Sequence, residues 1–508
     1  LDGSIPTGFQ RTALIGIGGT IPFHDSELGD DQVLRIRQLT LEEDSCREVS
    51  DIGHRITFRT DRLGMPLVET VTEPDLRTPH DVAAGGRLIA AVARASGHAR
   101  RGSGSGRQDV NVSIAGSRRV ELKGVGRHAV LPRLVHNEAF RHLNLLRIRA
   151  ALRERGITAD LLDGCLHADL GGLLAGCGFA PIERAARDGS VLRAVRLPGF
   201  GTLLGHRTQP GRTFAHEFAE RVRVIACLTT RPFLLAEDDD GGALAAARWR
   251  EVRMAVRADA EDAVLLVWGP REDIDTASHE IVLRAKAALV GVPSETRQAH
   301  PDGTTGFERI LPGPQRMYPD TDTPPLPIPD AWVAEVESRT VELPWQRRAR
   351  YIAKGLPAPA ARRMAHSTWA ELYDELAIED PPTARRIAFA LEARLPHFWR
   401  SSGVRTLPAA ERLRPLVRAL VEGRMHPSGT NWVLDRLLRE PDTAASDIVD
   451  AHRLDDRPAD PLPASPTTDA NARLRWAMGR TLRGRTRGSF DPQQIRTDLS
   501  HSLGEVRE

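Results

Sequence analysis

Residues 107–123 alternate polar and apolar side chains with a period of two, and a chain with this pattern folds there as a half-buried strand pair. The apolar face consists of Val110, Val112, Ile114, Val120 and Leu122. Joined by a three-residue loop, the strands pair Asp109 with Lys123 and Asn111 with Glu121. The sequence therefore predicts a β-hairpin that gathers polar side chains on the face opposite its valines.

Two features favour a functional role for this polar face. Asp and Asn are poor strand formers, so Asp109 and Asn111 are less favourable in mid-strand than a surface Thr would be. Lys123 is one of three lysines among 70 basic residues, and a compact ammonium contacts phosphate as a point charge. The hairpin is predicted to hold a metal nucleotide; a plain solvated sheet face is the alternative.

A second candidate lies in the upstream segment Leu-Thr-Leu-Glu-Glu-Asp. Period two places Glu43 in phase with Leu39 and Leu41, so Glu43 points inward if the strand continues. A buried carboxylate needs a cation, a metal or a hydrogen-bond donor. The alternative is a strand that ends at Leu41 and a solvated acidic turn. Residues 61–75, which include Glu69, add hard oxygen ligands of the kind that Mg²⁺ prefers.

The periodicities predict an α+β protein with several domains. An α+β region over 1–190 contains a helix over 133–155 with Ala139, Leu143, Leu146 and Ala150 on one stripe. The segments that follow are an inserted α/β module over 191–290, with a strand over 224–227, a return to the first domain over 291–330, a helical domain over 331–425 and a tail domain over 426–508.

Composition limits the cell compartment and the kind of nucleotide site. The formal charge is only +2, there are four cysteines in no zinc or redox spacing, and no run of about 18 apolar residues exists. These features predict a cytoplasmic protein that does not span a membrane. A Walker loop is absent, because no lysine stands in a Gly-Lys-Ser/Thr context.

The tail carries the densest basic patch, within fifteen residues that contain no acid. Its arginines are Arg473, Arg475, Arg480, Arg483, Arg485 and Arg487. A solvated helix face normally alternates in sign, so this patch is predicted to bind nucleic-acid phosphates.

Together these segments resemble the B/E family of tRNA-dependent amidotransferase subunits. The matching stretches are Leu-Glu-Glu-Asp (41–44), Asp-Arg-Leu-Gly-Met-Pro-Leu-Val-Glu (61–69), Thr-Glu-Pro-Asp (72–75), Arg-Gln-Asp-Val-Asn-Val-Ser (107–113), Val-Glu-Leu-Lys (120–123), Glu-Thr-Arg (295–297) and Arg-Met-Tyr-Pro (316–319). The module at 191–290 favours the E branch, the glutamyl-tRNA(Gln) amidotransferases, because B-type subunits lack such a block. In that branch it resembles the insertion domain of bacterial-type aspartyl-tRNA synthetases.

The resemblance implies that ATP phosphorylates the glutamyl carboxylate of Glu-tRNA(Gln) and that ammonia then displaces phosphate, with Mg²⁺ as the metal. The residues implied as catalytic are Glu43, Glu69, Asp109, Asn111, Lys123 and Arg316. The implied metal ligands are Glu43 and Asp109. The implied nucleotide contacts are Ser113, Glu121 and Lys123. Alternatives are a tRNA-binding scaffold without catalysis and a B-type subunit that works with A-type and C-type partners.

The resemblance also implies an asparaginase-like amidase, the D-type subunit, as the ammonia source, tRNA(Gln) as the substrate carrier, and a heterotetramer of two D and two E subunits. Family members begin with a strand that bears a Glu and a His of the metal site, whereas this sequence starts downstream of that strand. We expect the sequence to be truncated there.

Overall fold

The structure of the protein is a computed structural model, and it describes residues 12–24, 31–100, 102, 104–310, 327–404, 406–454, 465–466, 469–482, 485 and 489–503. The chain forms two compact units. The first comprises residues 1–90 and 99–328, and the second comprises residues 91–98 and 329–508. Helices and antiparallel sheets are both present, so the multidomain mixture of helix and sheet expected from the sequence is confirmed.

The N-terminal sheet is built around one long strand. Its strands are β1 (Thr12–Ile17), β2 (Thr20–His24), β3 (Asp31–Glu43) and β6 (Pro66–Thr72), and a separate hairpin is formed by β4 (Arg47–Ile52) and β5 (Arg55–Arg59). Strand β3 pairs with β2 along its first half and with β1 and β6 along its second half. Helix α1 (Pro79–Ala95) follows.

The predicted hairpin is confirmed as β7 (Gln108–Val112) and β8 (Val120–Val125). Asn111 pairs with Glu121 as predicted, while a β-bulge interrupts the register where Asp109 meets Lys123. Gly124 supplies the positive φ of +68° that the bulge needs, since a side chain disfavours that conformation. The predicted three-residue loop at 115–117 is wrong, because pairing stops at Val112 and resumes at Val120.

The hairpin lies in a second sheet of order β16-β15-β8-β7, with β15 (Glu295–Ala299) parallel to β8 and antiparallel to β16 (Thr305–Ile310). The five apolar residues of the hairpin strands are at most 8% exposed and pack in one core with the long helix α2 (Leu131–Glu154). One face of this sheet is therefore core, and the other is free to carry polar side chains.

Helix α2 occupies the predicted span but buries a different face. Its core contacts include Leu134, Leu145 and Ile148, whereas Leu143 of the predicted stripe is 37% exposed. The stripe was misassigned because polar residues also point into the interior from this helix. Amphipathic spacing alone does not identify a buried face that contains charges.

The predicted α/β module is a four-stranded sheet covered by helices. Its sheet has the order β13-β14-β10-β9, from β9 (His167–Asp169), β10 (Val191–Leu197), β13 (Leu234–Ala236) and β14 (Ala263–Gly269). The helices of this region are α3 (Ala159–Asp163), α4 (Ala180–Arg187), α5 (Phe214–Ile225), α6 (Ala246–Ala255) and α7 (Ile274–Val290), and β11 (Arg207–Gln209) pairs with β12 (Arg212–Thr213).

Two details of this module differ from the sequence prediction. The strand expected over 224–227 is wrong, because α5 extends through Ile225. The sheet also recruits β9, upstream of the expected start at 191, and the apolar core beneath the hairpin runs without interruption into β10, α5 and α7. The module is not self-contained.

The second unit is helical. Its helices are α8 (Asp330–Ser338), α9 (Pro344–Ala353), α10 (Ala358–Ala365), α11 (Ala370–Glu375), α12 (Pro381–Ser402), α13 (Ala410–Val421), α14 (Thr430–Arg439), α15 (Ala445–Asp450), α16 (Ala470–Thr481) and α17 (Pro492–Ser502). One core runs from Tyr351 to Val449, so α14 and α15 pack with the helical domain beyond the boundary expected at 425.

We expect Leu122→Ala to lower the free energy of unfolding by about 2–5 kcal/mol, because Leu122 is fully buried beneath the hairpin and its loss leaves a cavity. Urea denaturation followed by circular dichroism measures the change. Leu143→Ala, a part-exposed leucine of the adjacent helix, is the control and should cost less than about 1 kcal/mol. Equal losses from the two variants would contradict the assigned core.

Candidate active site

The polar face of the hairpin is organised by the Lys123 ammonium. Its Nζ donates to Asp109 Oδ2 at 2.7 Å and lies 3.3 Å from Glu121 Oε1. Asp109 Oδ1 also accepts the backbone N–H of Gly124 at 2.8 Å, which the bulge turns toward it. Burial opposes the charge of Lys123, but its bonds to Asp109 and Glu121 outweigh that effect and raise the pKa of the ammonium.

Neighbouring strands extend this polar face. Thr296 on β15 donates its hydroxyl to Glu121 Oε2 at 3.2 Å. Glu308 lies in β16 where the pairing with β15 shifts by one residue, within electrostatic range of Lys123. Burial is the main cause that raises the pKa of the Glu308 carboxyl, and Arg309 and Lys123 offset it in part.

A pair of carboxylates on the N-terminal sheet completes the site. Thr40 pairs with Glu69 in register and donates to Glu69 Oε2 at 3.4 Å, and the same face carries Glu42. Burial and then the Glu69 carboxylate raise the pKa of Glu42 from 4.5 to about 6, while Lys123 acts in the opposite direction. Two sheets thus bring Glu42 near Lys123, with Glu69 beside Glu42.

The inward orientation predicted for Glu43 is wrong. Strand β3 continues through Glu43, but the pleat places it with Leu41, on the face opposite Glu42 and Glu69. Leu41 is 42% exposed, whereas Thr40 is 1% exposed. The apolar residues suggested the wrong buried face because the buried face of this strand segment carries polar groups.

Most acids predicted near Glu69 are engaged by arginine. Arg37 Nε donates to Glu73 at 3.0 Å, and Arg35 Nη2 donates to Asp75 at 2.6 Å. Asp61 accepts from Arg47 Nη2 at 3.0 Å. Glu69 differs from these acids, because it lies beside Thr40 and Glu42.

The remaining predicted site residues fall into two groups. Asn111 is exposed beside Glu121, and Ser113 is exposed where the loop leaves β7. Arg316 lies outside the described residues, so its place in the site stays a prediction. Glu42 and Glu308 were missed, because only the pairing of distant strands shows that they face Lys123.

The charges of the assembled site are unbalanced. One ammonium, Lys123, interacts with four carboxylates, Glu42, Asp109, Glu121 and Glu308, and a fifth, Glu69, lies beside Glu42. Among the described residues no group of three or more His, Cys, Asp or Glu side chains is close enough to hold a metal ion. The Glu42–Glu69 pair nevertheless fits Mg²⁺, since both donors are hard oxygens and burial together with the Glu69 carboxylate raises the pKa of Glu42.

A buried ionic cluster supports the sheet from its core side. It consists of Glu138, Arg141, Glu217, Arg284, Glu295 and Arg297. Arg141 Nη2 donates to Glu217 Oε2 and to Glu295 Oε1, each at 2.6 Å, and Arg297 Nη1 donates to Glu295 at 2.6 Å. Burial opposes ionisation of Glu217, but Arg141 and Arg297 hold the pKa of this carboxyl well below its usual range.

The tail arginines occupy different environments in the second unit. On α16, Arg475 is exposed, Arg480 stacks over the Trp476 ring at 5.8 Å, and Arg473 Nη2 donates to the Leu503 carbonyl at 3.3 Å. Arg485 is part-buried, and Arg483 and Arg487 lie outside the described residues. The patch is therefore not one uniform face, because Arg473 takes part in helix packing.

Comparisons with known proteins give one consistent result. The family model described as "GatB/GatE catalytic domain" matches residues 1–334. The chain is 34% identical to the E subunit of the glutamyl-tRNA(Gln) amidotransferase of Methanocaldococcus jannaschii, over 89% of its own length and 70% of that protein. It is also 34% identical to the E subunits of Methanopyrus kandleri and Archaeoglobus fulgidus, over 87% and 88% of this chain and 68% and 69% of theirs.

The helices in the described ranges include none with the length and apolar character needed to cross a membrane.

The raised pKa of Glu42 predicts a pH-dependent stability. Because the folded state holds this proton more tightly than the unfolded chain, stability present at low pH is lost as pH rises from about 4.5 to about 6. The Gln side chain of Glu42→Gln is neutral at every pH. The urea midpoint of the variant should therefore rise relative to that of wild type across this window and stay so above it. A difference in urea midpoint between Glu42→Gln and wild type that stays constant across this window would contradict the assignment.

Proposed function

Because the chain belongs to the GatB/GatE family, we propose that it is an E-type subunit of a tRNA-dependent amidotransferase that converts Glu-tRNA(Gln) to Gln-tRNA(Gln). The side-chain carboxylate of the attached glutamate attacks the γ-phosphorus of ATP, and ADP leaves. Ammonia then attacks the acyl carbon, phosphate leaves, and the nitrogen loses a proton to give the amide. The relatives named as E subunits of glutamyl-tRNA(Gln) amidotransferases support this assignment.

The observation that carries the proposal is the meeting of Lys123 with a carboxylate pair from another sheet. Phosphoryl transfer depends mainly on positioning and on electrostatic stabilisation of the transferred group. Asp109 and Glu121 hold Lys123 charged and in place, so its ammonium can contact a phosphate oxygen. Glu42 and Glu69 supply the oxygens that would hold Mg²⁺.

Bound Mg²⁺ would neutralise phosphate charge during transfer. The correction from Glu43 to Glu42 changes which carboxylate we assign to this role, because Glu42 shares a face with Glu69 and lies near Lys123. Asp109, which the sequence assigned to the metal, is bonded to Lys123 and Gly124 and positions the ammonium instead.

The proposal includes partners. Ammonia would come from an asparaginase-like amidase of the D type, and the complex would hold two D and two E subunits in the cytoplasm. Because Arg475 and Arg480 are exposed in the basic tail, we assign them to the tRNA backbone. A scaffold without catalysis would keep the tail contacts but would not need the Glu42–Glu69 pair.

Glu42→Gln tests the catalytic assignment. In reactions of the full chain with Glu-tRNA(Gln), ATP and ammonium chloride, which replaces the amidase, we expect the rate of Gln-tRNA(Gln) formation to fall by about 10²–10³-fold, as for loss of one group that stabilises transition-state charge. Filter binding should show unchanged tRNA affinity, because the tail is intact.

Glu43→Gln is the matched control, one residue along the same strand, and should retain most activity. Full activity of Glu42→Gln, or equal losses from both variants, would contradict the assignment of Glu42. A wild-type chain that binds tRNA but forms neither ADP nor Gln-tRNA(Gln) would favour the scaffold. Ammonia delivery by A-type and C-type partners, but not by the D-type amidase, would favour a B-type role.

The tail assignment predicts a change in salt dependence. Removing a phosphate contact lowers the log–log slope of affinity against salt by about 0.7–0.9. We therefore expect Arg475→Gln and Arg480→Gln each to flatten the slope in filter binding without affecting the rate at saturating tRNA. Arg436→Gln is the control, since Arg436 is paired with Glu440 at 2.8 Å and should leave the slope unchanged.

A further inference from the structure

We infer that His142 is a positioning residue that holds the hairpin of Lys123 in its working orientation through Ser117 and Glu138. The inference rests on the proposed function, since it concerns the same site. His142 is fully buried on α2, beneath the hairpin, and its hydrogen bonds go to Ser117 and Glu138 rather than to the carboxylates around Lys123. One ring nitrogen contacts Ser117 in the hairpin loop, and the other contacts Glu138 in the buried ionic cluster.

One nitrogen secures the hairpin loop. His142 Nδ1 lies 3.0 Å from Ser117 Oγ. The Ser117 oxygen also accepts the backbone N–H of Ile114 at 2.9 Å and lies 2.9 Å from the Ile114 carbonyl. Residues 113–119 are not paired as strand, so these bonds tie the loop both to itself and to α2.

The other nitrogen reaches the opposite edge of the sheet. His142 Nε2 lies 3.2 Å from Glu138 Oε1, and Glu138 Oε2 accepts the hydroxyl of Thr305 on β16 at 2.6 Å. Thr305 Oγ1 in turn accepts from Arg297 Nε on β15 at 2.8 Å. A chain of buried hydrogen bonds therefore runs from the hairpin loop to both strands beyond β8.

This path connects the parts whose spacing matters for the proposed chemistry. Strand β8 carries Lys123, and β15 and β16 carry Thr296 and Glu308 of the polar face. If the loop shifts relative to β15 and β16, the Lys123 ammonium moves relative to the carboxylates. Displacement of about 1 Å at a reacting group costs up to about 10²-fold in rate.

The order serine, histidine, carboxylate also occurs in serine hydrolases, but the bonding here favours positioning. The Ser117 oxygen is already engaged with Ile114, and Glu138 accepts Arg141 Nη1 at 2.8 Å. Although burial opposes ionisation of Glu138, Arg141, His142 and Arg297 hold the pKa of this carboxyl well below its usual range. Arginine neutralises the charge that would stabilise an imidazolium.

Variants of His142 that keep only one of its two hydrogen bonds distinguish the roles of those bonds. His142→Asn keeps a polar group near the Nδ1 position and hence the bond to Ser117, whereas His142→Gln reaches the Nε2 position and keeps the bond to Glu138. In the full chain with ammonium chloride we expect His142→Ala to lower kcat by about tenfold or more with little change in KM for Glu-tRNA(Gln).

We expect His142→Asn to recover more of kcat than His142→Gln, because the loop contact is restored. Ser117→Ala should lose a similar part of kcat, and adding it to His142→Ala should cause no further loss, since both changes break one connection. His136→Ala, an exposed histidine on the same helix, is the control and should match wild type.

Hydrogen exchange provides a readout that does not depend on activity. In His142→Ala the amides of residues 108–119 should exchange faster, while those of α2 keep their protection. Unchanged exchange and unchanged kcat in this variant, additive losses in the double variant, or labelling of Ser117 by a fluorophosphonate would overturn the inference. An inactive wild type would refute the proposed function alone, because the exchange measurement would still decide the role of His142.

Discussion

The site depends on one ammonium placed among many carboxylates. Lys123 bonds Asp109 and Glu121 on its own sheet and lies within electrostatic range of Glu42 and Glu308. Without this cation the carboxylates of the face would repel one another more strongly, and the pKa values of Glu42 and Glu308 would rise further. The same surplus of negative charge attracts divalent cations. The ammonium thus explains why the face is tolerated, and the surplus of negative charge is what supports the proposed Mg²⁺ site.

Beneath this face, buried charges are compensated within the core. Arg141 and Arg297 share Glu217 and Glu295, so each buried carboxylate meets more than one guanidinium. Removing one member of such a cluster is far more costly than the pairing is stabilising, because the remaining charge is left unpaired. The cluster connects α2, α5 and β15 and therefore fixes the strand positions on which the polar face depends.

The alternation of polar and apolar residues was sufficient to predict the hairpin but not to predict the site. Alternation located β7 and β8 and the pairing of Asn111 with Glu121, because each strand buries only one face. It assigned Glu43 instead of Glu42, since it assumed that the apolar side of β3 is the buried one. Glu308 was missed because its proximity to Lys123 depends on a β-bulge and on parallel pairing between distant strands, which no short segment encodes.

The α/β module and the hairpin share one continuous apolar interior, to which Val110, Val120, Val195 and Phe214 all contribute. An independent appendage can be exchanged or lost without consequence for the rest of a protein. Here the module also packs beneath the sheet that carries Lys123, and α5 provides Glu217 to the buried charges. A core substitution in the module must be accommodated by the packing of the hairpin, and the reverse also holds. These two segments are therefore constrained to evolve as a single unit.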